Sequence, residues 1–312
     1  MADSLLPDRH KQRDFFTCDI FDSFKDDIAS MEHPVFSLSK KPDHRMLKYE
    51  RNGTTIKIKP SYTGLATIFD KDILLYLASA LMHAKNSGEA ISQTVRFTSY
   101  DYIVSTNKSL GGTQYQLLKE GLERLNGTLI QTNIKTSSVE ETKEFGLIES
   151  WGIIKEDTKG KAIAIEVKLS DWFYNSILGD AVLTIDKDYF RLRKPTERRL
   201  YELARKHCGN QVAWKISLVN LKEKLGVTSQ MKLLRFNIKK ITETNHLPEY
   251  NISMEDDIVM FSRKEPPKQN NVPAGLPKYV TKKEIEKQAK PGESYEQAAN
   301  RIKGLKAALG NK

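Results

Sequence analysis

A glycine at position 226 divides a stretch of the chain that has helical hydrophobic periodicity. Before it, apolar residues recur at i, i+3 and i+7, at Leu218, Leu221 and Leu225. After it, one apolar face recurs at i, i+3, i+7 and i+10, at Met231, Leu234, Ile238 and Ile241. The spacing predicts two amphipathic helices joined by a tight turn, with Ser217 as N-cap of the first and Thr228 or Ser229 as N-cap of the second.

The other faces of the second helix are polar and basic. They carry Ser229, Gln230, Lys232, Arg235, Lys239 and Lys240. A short helix, a glycine turn and a basic amphipathic helix are typical of a helix-turn-helix, whose second helix fits the major groove of DNA. An ordinary helical hairpin with a solvated basic face has the same pattern, so this stretch alone leaves both interpretations open.

The residues before position 170 predict one run of helices and strands. A β-hairpin over Met46–Lys59 turns at Asn52-Gly53, which is the favoured type I′ pair. An apolar helix then runs from Asp70 to near Gly88. The next elements are a strand, a short helix, a longer helix and three strands, at Thr94–Phe97, Ser99–Val104, Thr113–Leu125, Thr128–Ile134, Glu144–Lys155 and Ala162–Leu169.

A short connecting helix capped by Ser170-Asp171 leads to a second run of the same kind. Its elements are a strand at Val182–Ile185, a helix from Pro195 to Gly209, a strand at Ala213–Ile216, the two helices around Gly226, and strands at Tyr250–Met254 and Ile258–Phe261. Helix, strand, short helix, longer helix and β-ribbon is the order of a winged helix. The predicted fold class is α+β, with two tandem winged-helix domains and a disordered basic C-terminal tail.

The predicted divisions are an acidic N-terminal arm (1–35), a first winged-helix domain (36–178), a second one (179–264) and a tail (265–312). The arm carries several phenylalanines and is interpreted either as mobile or as a helix that docks onto a partner. Residues 264–312 hold five of the eleven prolines and eleven Lys/Arg, which predicts disorder over most of the tail. The tail either acts as a passive solubilising segment or adds a contact to nucleic acid.

Charge narrows the class of partner. The formal net charge of +10 and the pI near 9.3 favour polyanions. From Asp186 to Glu243 the chain has fifteen Lys/Arg against six Asp/Glu, whereas residues 1–36 have four against eight. Positive charge is therefore concentrated around the two helices, where phosphate contacts would need it, and this favours DNA over the ordinary hairpin.

Composition points away from membranes, metals and cofactors. No apolar run approaches the roughly 20 residues that span a bilayer, and no signal-peptide pattern opens the chain, so we expect a cytoplasmic protein without membrane contacts. Two cysteines, Cys18 and Cys208, fit a reducing cytosol. His207-Cys208 has no second ligand pair at a suitable spacing, so we interpret it as a structural helix end, and we expect no cofactor.

Several blocks, in order along the chain, resemble the plasmid replication initiator A proteins. They are DDIASMEHPVFSLS from Asp26, TIFDKD from Thr67, GTQYQLLKEGLERLNGTLIQTNI from Gly112 and YFRLRKPTERRLYELARKH from Tyr189. The resemblance covers most of residues 14–263, with further similarity at 291–293. Linked blocks in a fixed order are a more specific signal than the helix-turn-helix alone.

The resemblance implies two winged helices that bind double-stranded DNA at direct repeats, called iterons, in a plasmid origin. It also implies local duplex opening and recruitment of the host replication initiator and helicase. A monomer–dimer equilibrium is expected, with the dimer repressing the initiator's own promoter. The implied location is the bacterial cytosol, on plasmid DNA.

Candidate contacts follow from residue type and position. On the second helix of the pair, Ser229, Gln230, Lys232, Arg235, Lys239 and Lys240 are candidates for base edges or adjacent phosphates, since arginine and glutamine suit guanine and adenine. The preceding basic cluster is interpreted as phosphate clamps, at Arg191, Arg193, Lys194, Arg198 and Arg199. Glu197 and Glu202 are spaced to pair with part of this cluster.

The first domain offers a second candidate surface, at Thr113, Gln114, Gln116 and Lys119. Glu120 and Glu123 share that face and would repel phosphate, so we expect less sequence reading there and place the dimer contact in this domain. The turn Glu255-Asp256-Asp257 is also acidic. Wing contacts with DNA are therefore expected from Ser262, Arg263 and Lys264.

Two other functions are weighed against initiation. Some plasmid initiators nick DNA with a tyrosine and a metal held by paired histidines, but the six histidines here are dispersed and no His-x-His occurs. A phosphate-binding Gly-x-x-x-x-Gly-Lys-Ser/Thr loop is also missing from the sequence, so we expect no enzymatic activity. The main alternative is a winged-helix transcriptional repressor without initiator activity, which would bind a palindrome as a dimer.

Overall fold

The computed structural model describes residues 5–10, 15–18, 34–39, 41–51, 54–86, 88–136, 139–155, 162–178, 182–208, 211–264 and 301–302. Residues 1–264 form one compact unit and residues 265–312 another. Most of the predicted acidic arm and nearly all of the predicted disordered tail lie outside the described residues. The same holds for the predicted turn residues Asn52-Gly53 and for Gly209, the predicted end of a helix.

The first part of the chain contains four described helices and eight described strands. The helices are α1 (Lys71–Asn86), α2 (Ser99–Ser105), α3 (Gly112–Gly127) and α4 (Asp171–Leu178). The strands are β1 (Phe15–Cys18), β2 (Leu47–Arg51), β3 (Thr54–Lys59), β4 (Thr94–Phe97), β5 (Leu129–Thr136), β6 (Val139–Gly146), β7 (Ile148–Lys155) and β8 (Ala162–Leu169).

The second part begins with β9 (Val182–Ile185) and a 3-10 helix at Lys187–Arg191, which the hydrophobic pattern did not predict. The remaining elements are α5 (Pro195–His207), β10 (Ala213–Ser217), α6 (Leu218–Leu225), α7 (Met231–Thr244), β11 (Tyr250–Glu255) and β12 (Ile258–Arg263). Helices and strands are mixed throughout, as the sequence predicts.

The same topology occurs in both parts. In the second, β10, α6, α7, β11 and β12 give an antiparallel sheet of order β10-β12-β11. In the first, β4, α2, α3, β7 and β8 give an antiparallel sheet of order β4-β8-β7. The first part differs by the β5–β6 hairpin, which comes between α3 and β7 in the sequence. This hairpin pairs with β3 and extends the β2–β3 hairpin into a sheet of order β2-β3-β5-β6.

The prediction of one strand from Glu144 to Lys155 is wrong, because the chain changes sheets at Gly146-Leu147. Leu147 is fully buried at this corner. A Cβ at Gly146 would lie 2.7 Å from the carbonyl oxygen of Ile148, so the corner excludes larger residues. The Asn126 side chain donates a hydrogen bond to the carbonyl of Glu149 at 3.0 Å. An uninterrupted apolar pattern cannot show such a corner.

Two hydrophobic cores meet at α1. Leu74 and Leu77 belong to the core of the first part, which also takes in α3, α4 and the inner faces of the sheets. Leu75, on another face of the same helix, belongs to the core formed by α5, α6, α7 and β10–β12. Helix α1 therefore contributes to the packing of both parts, which accounts for its nearly continuous apolar sequence.

The N-terminal segment contacts both parts in a non-helical conformation. The backbone N–H of Leu6 donates to the Arg191 carbonyl at 2.8 Å, while Asn107 Nδ2 donates to the Pro7 carbonyl at 3.0 Å. Further along, β1 pairs with β9 in an antiparallel ladder. Neither a mobile arm nor a docking helix describes residues 5–10 and 15–18, which are held against the rest of the chain.

The helix pair has the predicted turn but a different second cap. Gly226 is left-handed, with φ of 65°, and the Ser217 side chain accepts from the Asn220 N–H, as expected of an N-cap. Helix α7 starts at Met231 with extended Gln230 as its N-cap, so capping by Thr228 or Ser229 is wrong. Gln230 makes no side-chain capping hydrogen bond. The cap was misplaced because apolar spacing determines the buried face of a helix and not its first turn.

Replacing Gly226 by alanine should destabilise the protein by about 1–3 kcal/mol, the cost of holding a side chain in the left-handed region. The added Cβ would also fall 2.1 Å from Cγ of Pro34. Gly112→Ala is the matched control, because a Cβ there meets nothing within 4 Å and should change stability by less than about 0.5 kcal/mol. Urea unfolding of both variants checks this, and equal losses would contradict it.

Candidate nucleic-acid interface

Helix α7 buries one face and presents the other to solvent. Leu234, Ile238 and Ile241 are buried in the second core. Gln230, Lys232, Lys239 and Lys240 are exposed, and Ser229 is half-buried. Four of the six predicted α7 candidates are therefore exposed, while Ser229 and Arg235 are half-buried.

Three residues on this surface were missed by the sequence analysis. Leu233 and Phe236 are each 52% exposed, and Asn237 is exposed beside them. The ammonium group of Lys240 lies 4.4 Å from the centroid of the Phe236 ring. The signal was present in the sequence, because Phe236 is two residues from both Leu234 and Ile238, which puts it roughly 200° from each around the helix.

Arg235 is fixed by the turn between β11 and β12. Its Nε donates to Asp257 Oδ1 at 2.7 Å and its Nη2 to Asp257 Oδ2 at 2.5 Å. Asp256 and Asp257 have φ of 44° and 61°, the pair of left-handed residues that a type I′ turn requires. The Arg235 guanidinium lowers the pKa of Asp257 below its ordinary value, chiefly through these hydrogen bonds. Arg235 keeps three of its five N–H donors outside this pair.

The phosphate-clamp prediction is wrong for Arg198. This residue is only 3% exposed, and its Nη1 donates to Asp72 Oδ1 at 2.5 Å. Its Nε donates to the Leu192 carbonyl at 3.1 Å, and its guanidinium lies 4.5 Å from the centroid of the Phe69 ring. A cation enclosed in this way is a packing residue and is not accessible to a phosphate.

Arg191 and Arg199 are also engaged within the fold. Arg191 Nε donates to the Leu6 carbonyl at 2.7 Å. Arg199 Nε donates to the Lys224 carbonyl at 3.2 Å, and its Nη1 lies 3.3 Å from Glu202 Oε2, which confirms the expected pairing with Glu202. Both are half-buried, so their role as phosphate clamps stays a prediction.

The remaining two members of the cluster are exposed. Lys194 has 59% of its side chain exposed while its Nζ lies 3.0 Å from Glu197 Oε1, so the second expected pairing is also confirmed. Arg193 is exposed and has no hydrogen-bond or ion-pair partner among the described residues. Of the five predicted phosphate clamps, Arg193 and Lys194 are thus the two that are exposed.

Buried ion pairs link α1 to α5. Asp72, fully buried, accepts from Arg198 and also from Lys108 Nζ at 2.7 Å. One turn along α5, Glu202 lies 3.0 Å from Lys71 Nζ and accepts from the Tyr189 hydroxyl at 2.8 Å. Burial raises the pKa of Glu202, but Lys71 and the neighbouring arginine outweigh it, so the net shift is downward and the carboxylate is charged.

The predicted DNA contacts of the first part differ in their exposure. Thr113 and Gln116 are exposed on α3, where Gln116 Nε2 donates to Glu120 Oε1 at 3.0 Å. Gln114 and Lys119 are half-buried. Gln114 and Arg193 line the same cavity of about 250 Å³, so candidates from the two parts do meet there.

At the end of β12, Arg263 is not a surface contact. Its side chain is 15% exposed, lies 3.8 Å from Glu249 and stacks over the Tyr250 ring at 6.0 Å. The prediction of a wing contact through Arg263 is therefore wrong, since the side chain packs inward. Lys264 is exposed and Ser262 half-buried.

Cys208 is a helix end, as predicted. It is the buried C-cap residue of α5, and the His207 ring stacks on Trp214 at 4.5 Å between centroids. Within the described ranges, no three His, Cys, Asp or Glu side chains are grouped so as to hold a metal ion. Over the same ranges, no helix is long and apolar enough to cross a membrane.

The family of the chain is decided by comparison with known sequences. The family model of replication initiator protein A matches residues 25–252. The chain belongs to this family. A “Putative replication protein” of Wigglesworthia glossinidia brevipalpis is 43% identical over 267 residues, covering 83% of this chain and 96% of that protein. The chain is thus a replication initiator, a class of protein that binds DNA at an origin, as its resemblance implies.

Solved structures share the fold at low identity. The crystal structure of RctB domains 2 and 3 superposes with a TM-score of 0.55 at 12% identity, covering 75% of this chain and 96% of that one. A selenomethionine structure of the same two RctB domains gives 0.55 at 10% identity, covering 76% and 96%. The likeness supports the mixed helix and sheet architecture of the initiator.

Asp72→Asn should destabilise the initiator by about 3–5 kcal/mol, because it leaves the buried Arg198 charge without its counterion. Arg193→Ala is the control, since this exposed side chain should contribute less than about 0.5 kcal/mol to folding. Urea unfolding monitored by circular dichroism measures both. An Asp72→Asn variant with an unchanged free energy of unfolding would show that the buried pair is not needed for the fold.

Proposed function

We propose that the protein binds iterons at a plasmid origin with two tandem winged-helix modules, in which α7 enters the major groove. Bound there, it opens the duplex, recruits the host replication initiator and helicase, and as a dimer represses its own promoter. The single observation that supports this most is the open face of α7, which carries Lys232, Lys239 and Lys240 on a helix anchored by its opposite face.

The shared topology supports the tandem arrangement. Each part has a helix pair and, later in the chain, two antiparallel strands, the second of which pairs with the strand that precedes the helices. In the first part the β5–β6 hairpin comes between the helices and these strands. A helix-turn-helix with such a ribbon is the winged-helix arrangement, and two copies in one chain suit a long DNA site. The second module supplies most of the cationic surface, and the first adds Thr113 and Gln116.

The surface of α7 combines the two kinds of contact that DNA recognition uses. Exposed lysines on the helix neutralise phosphates, which fixes register and makes affinity depend on salt. Arg235, aimed by Asp257, retains the N–H groups needed for a bidentate contact with guanine. Gln230 precedes the helix and suits adenine. These contacts need no covalent chemistry, so we propose an initiator that is not an enzyme.

DNase footprinting on the DNA that flanks the gene tests the proposal, together with permanganate reactivity of the same segment. We expect protection of direct repeats and permanganate-reactive thymines beside them when the protein is bound. Protection of a single inverted repeat without permanganate reactivity would identify a repressor instead. Relaxation of supercoiled origin DNA by the protein alone would identify a nicking enzyme.

Arg235→Ala should weaken binding to the protected repeat by about 1–3 kcal/mol and leave binding to scrambled DNA nearly unchanged, because the lost contact is to a base. Arg193→Ala should weaken both alike and reduce the salt slope by about one, because its contact is to a phosphate. Fluorescence anisotropy over a salt range of about 50 to 200 mM separates the two effects. Equal losses on both DNAs for Arg235→Ala would show that α7 is not the reading helix.

A further inference from the structure

The outward face of α7 carries an apolar pair that the fold does not use. Leu233 and Phe236 are each 52% exposed, although the core beneath them is closed by Leu234 and Ile238. Single exposed apolar residues are common on protein surfaces. Here two adjoin on one helical face, and Phe236 lies roughly opposite the buried side of the helix.

The surroundings of the pair define the chemistry of its ligand. Lys232, Lys239 and Lys240 flank it, and the Lys240 ammonium covers the Phe236 ring at 4.4 Å. An apolar protein surface placed on this pair would remove water from the ammonium groups without neutralising them, which is energetically costly. DNA offers phosphates to the lysines and, in the major groove, one apolar group among the base edges, the C5-methyl of thymine.

We infer that Leu233 and Phe236 are specificity-determining residues that read thymine methyl groups in the repeat, which makes A·T pairs the favoured content of the site under α7. Asn237, exposed next to Phe236, suits the adenine of such a pair, because asparagine contacts N6 and N7 together. This inference rests on the proposed function, and it names what α7 would read.

The test removes the methyl groups without changing the base sequence. The protected origin fragment is amplified once with thymidine triphosphate and once with deoxyuridine triphosphate, and affinities are measured by mobility shift. We expect the unaltered protein to bind the thymine fragment about fourfold more tightly for each methyl contacted, from the free energy of burying one methyl group. The Leu233→Ala, Phe236→Ala double variant should bind both fragments alike.

Val219→Ala is the matched control, because this exposed apolar residue lies on α6 rather than α7. It should keep the full thymine-to-uracil ratio. The substituted side chains are exposed in both variants, so the thermal unfolding of each variant should match that of the unaltered protein.

The outcomes separate this inference from the function it rests on. If the unaltered protein bound the thymine and uracil fragments equally well but still preferred origin DNA to scrambled DNA, only the inference would be overturned. An undiminished thymine-to-uracil affinity ratio in the double variant would also overturn only the inference. Loss of that preference in the unaltered protein would overturn the proposed function and the inference together. If the double variant sedimented with a lower mass than the unaltered protein and kept its thymine-to-uracil affinity ratio, Leu233 and Phe236 would be a contact between two copies of the chain. That result would also overturn the inference.

Discussion

The ion pair between Asp72 and Arg198 joins residues that are 126 positions apart, at a place where neither side chain reaches solvent. Separating them would leave a charge in a low-dielectric interior, which costs far more than the loss of a surface ion pair. Together with Lys71 and Glu202 one turn away, this pair ties α1 to α5 and hence one core to the other. The position of the exposed face of α7 depends on it, because α5, α6 and α7 pack in one core.

The same ion-pair chemistry has a different role at the surface. Arg235 and Asp257 form a bidentate pair like that of a buried site, yet both remain partly exposed, so solvent screens the attraction and its value for stability is small. The pair orients the Arg235 side chain, because Asp257 in the β11–β12 turn holds the guanidinium beside α7. Burial therefore divides the basic residues of 186–243 into those that build the fold and those available to DNA.

Local patterns predicted most of the secondary structure. The strand at Thr94–Phe97, the start of α5 at Pro195 and the left-handed Gly226 follow from local rules, because spacing, fixed proline φ and glycine freedom act within a few residues. The corner at Gly146 and the inward turn of Arg198 were missed, since both depend on partners distant in sequence. For the proposed interface, charge pointed to α7 but gave equal weight to arginines that the fold encloses, and it did not point to the exposed Leu233 and Phe236.

The central claim is that the outward face of α7 lies against origin DNA, and side-chain oxidation by hydroxyl radicals with mass spectrometry measures this most directly. With saturating origin DNA, oxidation of Leu233 and Phe236 should fall strongly, whereas Tyr62, which is 88% exposed in the first part, should be oxidised as in the free protein. Unchanged oxidation of Leu233 and Phe236 in a sample in which all of the protein is bound to DNA would contradict the account.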